Sequence, residues 1–124
     1  MVAIIPIKRL VKSFKVALLG LWVAIKEEPT FRTGVLISIP VSFAMFYYPL
    51  TSVERAIISI SMFVVLGMEI MNTQVERTTD IIDPNYNLKI RKIKDLAAGA
   101  VLLMIASALA VACFILFPYV FGLR

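Results

Sequence analysis

The chain has no histidine, one cysteine and five glycines in 124 residues. The lack of histidine removes the commonest general base and the commonest transition-metal ligand. Proton transfer and metal binding therefore fall to carboxylates, lysines and amides. Cys113 has no partner for an intrachain disulfide and stands inside an apolar run, so it carries no redox signal. The glycines, Gly20, Gly34, Gly67, Gly99 and Gly122, are scattered, and neither GxxxxGK[ST] nor GxGxxG occurs. Charge is scarce as well: 17% of residues are Asp, Glu, Lys or Arg, and residues 33–53 and 96–123 carry none.

What is present is mostly apolar, at 60% of the chain. A soluble chain of this length cannot bury so much apolar surface, because its surface-to-volume ratio is too high. Lipid is the alternative solvent. The net charge of +5 then points to anionic headgroups and phosphate ligands, with no nucleic acid as partner. The length suits a single domain over 1–124.

Charges divide the chain. The uncharged stretch 33–53 is 21 residues long, close to the ~20 needed to cross the hydrocarbon core. Pro40 lies inside it, and membrane helices tolerate such breaks; Pro49, Thr51 and Ser52 end it. A connector carrying Glu54 and Arg55 leads to a second span over 56–80, interrupted by Glu69. A third span over 95–118 draws on 28 uncharged residues, with Pro118 ending its regular part. Residues 1–28 differ. Ile7, Leu10, Val11, Phe14, Leu18, Leu21, Trp22 and Ile25 recur at helical spacing, with Lys8, Arg9, Lys12 and Lys15 opposite. This predicts an amphipathic surface helix at the membrane interface, stopped by Pro29. A cleaved signal peptide is the alternative, but no small-residue cleavage site follows Lys26-Glu27-Glu28. The expected fold is an all-α membrane protein: one surface helix and three transmembrane helices.

Six basic residues precede the first span and five lie between the second and third; Arg55 and Arg124 fall on the other side. This bias predicts a cytoplasmic N-terminus and second loop in a multi-pass protein. Of the eight acidic residues, all but Glu54 fall on the same side.

The informative stretch is Met68–Asp80, MEIMNTQVERTTD. On a helix with Glu69 at zero, Asn72 falls near about −60°, Glu76 near −20° and Asp80 near +20°. Three carboxylates and an amide share one stripe. An ionised group in hydrocarbon costs at least about 2.5 kcal/mol, so such residues face a cavity or bundle interior and mark a site. The bland alternative makes Glu69 a protonated carboxyl bonded to a neighbouring helix, with Glu76 and Asp80 merely solvated. Glu27-Glu28 closes the first helix. Lys94-Asp95 opens the third span, after Lys89, Arg91 and Lys92; the basic run also reads as a topology signal alone. Gly99, Ala106 and Ala110 form a small-residue stripe that permits close helix packing. Carboxylates facing basic residues at a membrane surface suit Mg²⁺–nucleotide chemistry, since Mg²⁺ needs only one or two protein carboxylates beside phosphate and water. Spacing alone establishes an intramembrane acidic site, not a kinase. A small proton-coupled transporter stays open, although the stripe does not continue across the membrane. A membrane anchor subunit gives Glu28, Asn72 and Glu76 no purpose.

The pattern Glu69-x-x-Asn72-Thr73-x-x-Glu76-x-x-x-Asp80, then Lys94-Asp95 and LAAGAVLL, resembles the small bacterial integral-membrane diacylglycerol kinases, a family that includes undecaprenol kinases. Lys12…Gly20-Leu21 and Glu28-Pro29-Thr30-Phe31-Arg32 resemble its other block. The resemblance covers residues 9 to 117. Thr33-Gly34, Val16-Ala17 and Asn87 depart from the pattern, and none of these is a catalytic carboxylate. The resemblance implies a homotrimer in the bacterial inner membrane, with active sites at subunit boundaries. It implies an ATP-dependent lipid kinase that makes phosphatidic acid from diacylglycerol, with undecaprenol as the alternative acceptor. It implies Glu69 as general base on the lipid hydroxyl and Asn72 as a supporting catalytic amide. Glu28 and Glu76 match the carboxylates that hold Mg²⁺ with ATP. Arg9, Asp80, Tyr86, Lys94 and Asp95 match nucleotide contacts. Arg9, Phe31, Arg32 and Glu69 match the lipid side.

Overall fold

The computed structural model describes residues 3–85 and 87–123. It is all-helical: α1 (Ile7–Glu27), α2 (Pro29–Tyr47), α3 (Ser52–Ile82) and α4 (Leu88–Val120). Three of these, α2, α3 and α4, are long and apolar enough to cross a membrane.

One residue, Glu28, separates α1 from α2. Pro29 bars it from helical backbone, and it sits at φ −113°, ψ 103°. Pro29 is also a favourable first residue for α2. The last carbonyls of α1 would lack donors. Arg32 supplies them: its Nη1 donates to Ile25 O at 3.2 Å and to Lys26 O at 2.8 Å. Ala24 and Phe31 are buried at this corner.

The far corner uses the same device. Arg55 donates through Nε to Met45 O at 3.1 Å and through Nη2 to Tyr48 O at 3.4 Å, covering the end of α2. Thr51 and Glu54 form a capping box at the start of α3. Thr51 Oγ1 accepts from Glu54 N at 3.1 Å, and Glu54 Oε1 accepts from Thr51 N at 3.0 Å. Tyr119 of α4 donates its hydroxyl to the same Glu54 oxygen at 2.8 Å. The connector thus shrinks to residues 48–51, and Glu54 and Arg55 belong to α3, because the capping box starts the helix ahead of them.

α3 has 31 residues, ~46 Å at ~1.5 Å per residue, against a hydrocarbon core of ~30 Å. α4 has 33 residues and starts at Leu88, with Asn87 Oδ1 accepting from Lys89 N at 2.9 Å. Pro118 lies in its last turn, and the helix runs on to Val120. α3 and α4 form the main antiparallel pair; α2 packs more lightly on α3, and α1 touches α2. The buried cluster Met45, Leu50 and Ile58, with Val111 and Tyr119 against it, sits at the Thr51 end. Elsewhere the outer faces stay open. Leu36, Phe43, Phe63, Leu102 and Phe114 are 65–83% exposed, which suits apolar surroundings and not water.

Candidate active site

An apolar groove of about 470 Å³ runs between α2, α3 and α4. Thr30, Gly34 and Val41 line it from α2, Ile58 and Leu66 from α3, and Ala108 from α4. Glu69 is the one ionisable residue among its described lining. Three of the hydroxyls there are turned to their own helices. Thr33 Oγ1 donates to Pro29 O at 2.9 Å, Ser38 Oγ to Val35 O at 2.6 Å, and Ser61 Oγ to Ile58 O at 2.8 Å. The wall therefore presents methyl and methylene groups along ~16 Å between Ile58 and Glu69. Such a groove fits an amphiphile with a polar head and an apolar tail.

Gly34 lets α2 approach α3. A Cβ there would lie 3.0 Å from Leu66 Cδ2. A side chain there would push the Leu66 methyl by a few tenths of an ångström.

Beyond Glu69 the α3 stripe turns polar. Asn72 Nδ2 donates to Glu76 Oε1 at 3.3 Å. Asn72 Oδ1 is buried with no hydrogen-bond partner among the described residues, and a buried acceptor of this kind calls for a donor. Glu28, whose side chain is 20% exposed, meets this end of α3 through Arg77. Arg77 Nη2 lies 2.5 Å from Glu28 Oε1 and 3.9 Å from Glu27 Oε1. One turn on, Lys94 Nζ of α4 lies 2.5 Å from Asp80 Oδ1. That pair ties α3 to α4, and buried Thr79 beside it bonds back to Val75 O.

These contacts gather Glu69, Asn72 and Glu76 on α3, bring Glu28 to the same end, and join Asp80 to Lys94. Other expected site residues stand apart. Asp95 is exposed and lies 3.9 Å from Arg91 of its own helix. Arg9, with Lys12, Ser13 and Val16, lines a separate shallow depression on α1. Phe31 is buried and Arg32 is engaged with the α1 carbonyls; neither lines the groove. Tyr86 lies outside the described residues. Sequence reasoning missed Gly34 as the point of close approach and counted Arg77 only as a topology charge. For Arg77 the signal was its place directly after Glu76.

Among the described residues, no three carboxylates stand close enough together to hold an ion alone. A Mg²⁺ that arrives with phosphates needs fewer, only one or two. The hard oxygens of Glu28 and Glu76 suit it, and a cation, the Arg77 guanidinium, already rests against Glu28.

The undecaprenol kinase of Bacillus subtilis (strain 168) is 30% identical over 95 residues, covering 77% of each chain. The diacylglycerol kinase of Synechocystis sp. is 29% identical over 110 residues, which are 88% of this chain but 63% of that one. This chain therefore spans just under two thirds of the Synechocystis protein. A family model described as prokaryotic diacylglycerol kinase matches residues 15–116, most of the chain and every element that builds the groove and the acidic stripe. The chain belongs to the prokaryotic diacylglycerol kinase family and is a lipid kinase.

Proposed function

We propose that this chain transfers the γ-phosphoryl group of MgATP to the hydroxyl of diacylglycerol, giving phosphatidic acid. The observation that carries this reading is a single carboxylate, Glu69, on an apolar groove whose polar end adjoins Asn72, Glu76 and Glu28. An acyl tail lies along the groove and brings the hydroxyl to Glu69. Glu69 takes the hydroxyl proton as the new oxygen–phosphorus bond forms and the bond to the β-phosphate oxygen breaks. General-base help of this kind contributes about 10²–10⁴-fold. Asn72 holds Glu76 through its Nδ2, leaving its buried Oδ1 for a donor from substrate or water. Glu28 and Glu76 hold the metal. Bound Mg²⁺ neutralises charge on the phosphates. Lys94, with its partner Asp80, faces the nucleotide.

The same reading assigns the setting. Glu69 lies ~26 Å along α3 from Ser52, near the edge of a ~30 Å core. Asn72, Glu76 and Asp80 then emerge on the side of the basic loops, which the charge bias assigns to the cytoplasm of the inner membrane. α1 lies along that interface as an amphipathic surface helix, with Lys8, Arg9, Lys12 and Lys15 to the headgroups. The whole of 1–124 acts as one lipid kinase domain. Ala106 and Ala110 are exposed on α4, a small-residue face open to another copy in a homotrimer.

Undecaprenol is the second acceptor reading. One groove with one carboxylate suits a single-tailed alcohol, and the similarity to the Bacillus undecaprenol kinase favours it too. The test supplies purified protein in detergent with labelled ATP and Mg²⁺, and offers diacylglycerol and undecaprenol in parallel. Label should enter a lipid. No labelled lipid from either acceptor would overturn both acceptor assignments.

A further inference from the structure

Arg77 has no part in the chemistry described so far, yet it sits on that chemistry's metal carboxylate. Its guanidinium lies 2.5 Å from Glu28 Oε1 and 3.9 Å from Glu27 Oε1. It follows Glu76 directly in sequence. Along α3 it is turned about 100° from Glu76, toward the corner between α1 and α2. Two carboxylates, Glu27 and Glu28, therefore face one positive charge. Glu28 is held at the backbone by the Pro29 constraint and at the side chain by this pair. A divalent cation that uses the same Glu28 oxygen must displace the guanidinium. Once displaced, Arg77 has a planar fork of donors suited to phosphate oxygens, beside the carboxylates that hold the metal.

We propose that Arg77 is the resident cation of the metal site, guarding Glu28 until metal and nucleotide arrive together and then passing to the polyphosphate. This rests on the reading that Glu28 and Glu76 hold the metal. Arg77 acts through Glu28 and is a positioning residue. Its consequence is coupling: free divalent metal meets a filled oxygen and binds poorly. Metal carried by nucleotide brings phosphates that take over the guanidinium, so it binds well.

The experiment titrates the full chain in detergent with Mn²⁺, followed by electron paramagnetic resonance, with and without a non-hydrolysable ATP analogue. The wild type should bind Mn²⁺ weakly alone and tightly with the analogue. Arg77→Ala should bind Mn²⁺ alone about tenfold more tightly, and its KM for ATP should rise about tenfold, the size of one charge-assisted hydrogen bond. Arg77→Lys should fall between the two, and it guards against a folding defect in the alanine variant. Unchanged Mn²⁺ affinity in both variants, or weaker Mn²⁺ binding in Arg77→Ala, overturns the proposal and leaves the metal assignment standing. Glu28→Gln separates the two readings. If that variant binds Mn²⁺ with nucleotide as the wild type does, the metal assignment itself fails, and the role of Arg77 with it.

Discussion

Gly34→Ala tests the groove. The new Cβ would stand 3.0 Å from Leu66 Cδ2, so one of the two must give by a few tenths of an ångström. In a rigid core such overpacking costs about 1–3 kcal/mol. Here the opposing atom is the tip of a leucine that lines an open groove, so it can turn into that space at the low end of the range. Alanine also gains about 0.5–1 kcal/mol over glycine in a helix. The two effects nearly cancel, and stability should change by less than about 1 kcal/mol. Substrate pays no such neutral balance. Leu66 stands one turn before Glu69, ~4.5 Å along the helix, so its displaced methyl enters the path of the tail next to the hydroxyl. Contact worth up to about 1 kcal/mol is lost, a rise of about threefold to fivefold in KM for the lipid. The assay measures KM for diacylglycerol and for ATP separately in mixed micelles, beside thermal unfolding of the same preparation. An unchanged lipid KM, or a KM change confined to ATP, would refute the argument that Gly34 and Leu66 shape the acceptor path.

Glu76→Gln keeps an oxygen for the Asn72 amide but loses the carboxylate charge; it should weaken metal–nucleotide binding, and a nucleotide titration in the presence of Mn²⁺ would register the loss. Tyr119→Phe removes the hydroxyl that donates to Glu54; it should lower stability by about 1 kcal/mol in denaturant unfolding and leave turnover intact, since the bond lies at the opposite end of the bundle from Glu69. Lys94→Ala leaves Asp80 without its 2.5 Å partner. It should raise KM for ATP with little effect on KM for the lipid, and steady-state kinetics with each substrate varied in turn would show the split.

Much of this was legible before any coordinates. The charge-free runs located α2 and α4, because lipid is the solvent that suits so many consecutive apolar residues, and the apolar residues on either side of Glu69 located α3. The α3 stripe followed from its period alone, and the structure adds the Asn72–Glu76 bond that joins two of its members. Helix ends were harder. Glu54 and Arg55 resemble connector residues by charge, yet they begin α3 because Thr51 and Glu54 satisfy each other's backbone groups. Arg32 illustrates the limit for side chains. The family resemblance put it on the lipid side, while the carbonyls at the end of α1 engage it. Such assignments depend on which helix end meets which side chain, and no periodicity encodes that. The groove was equally hidden, since it needs three helices at once and a glycine set against Leu66.

The central claim is that the Glu69 carboxylate accepts the proton of a lipid alcohol. The most direct measurement compares kcat for label transfer from ATP to lipid in wild type and Glu69→Gln, at saturating concentrations of both substrates, with Mn²⁺–nucleotide affinity measured on the same samples. Turnover should fall by about 10² or more while nucleotide affinity stays within about twofold. A glutamine variant that keeps most of its turnover would contradict the account.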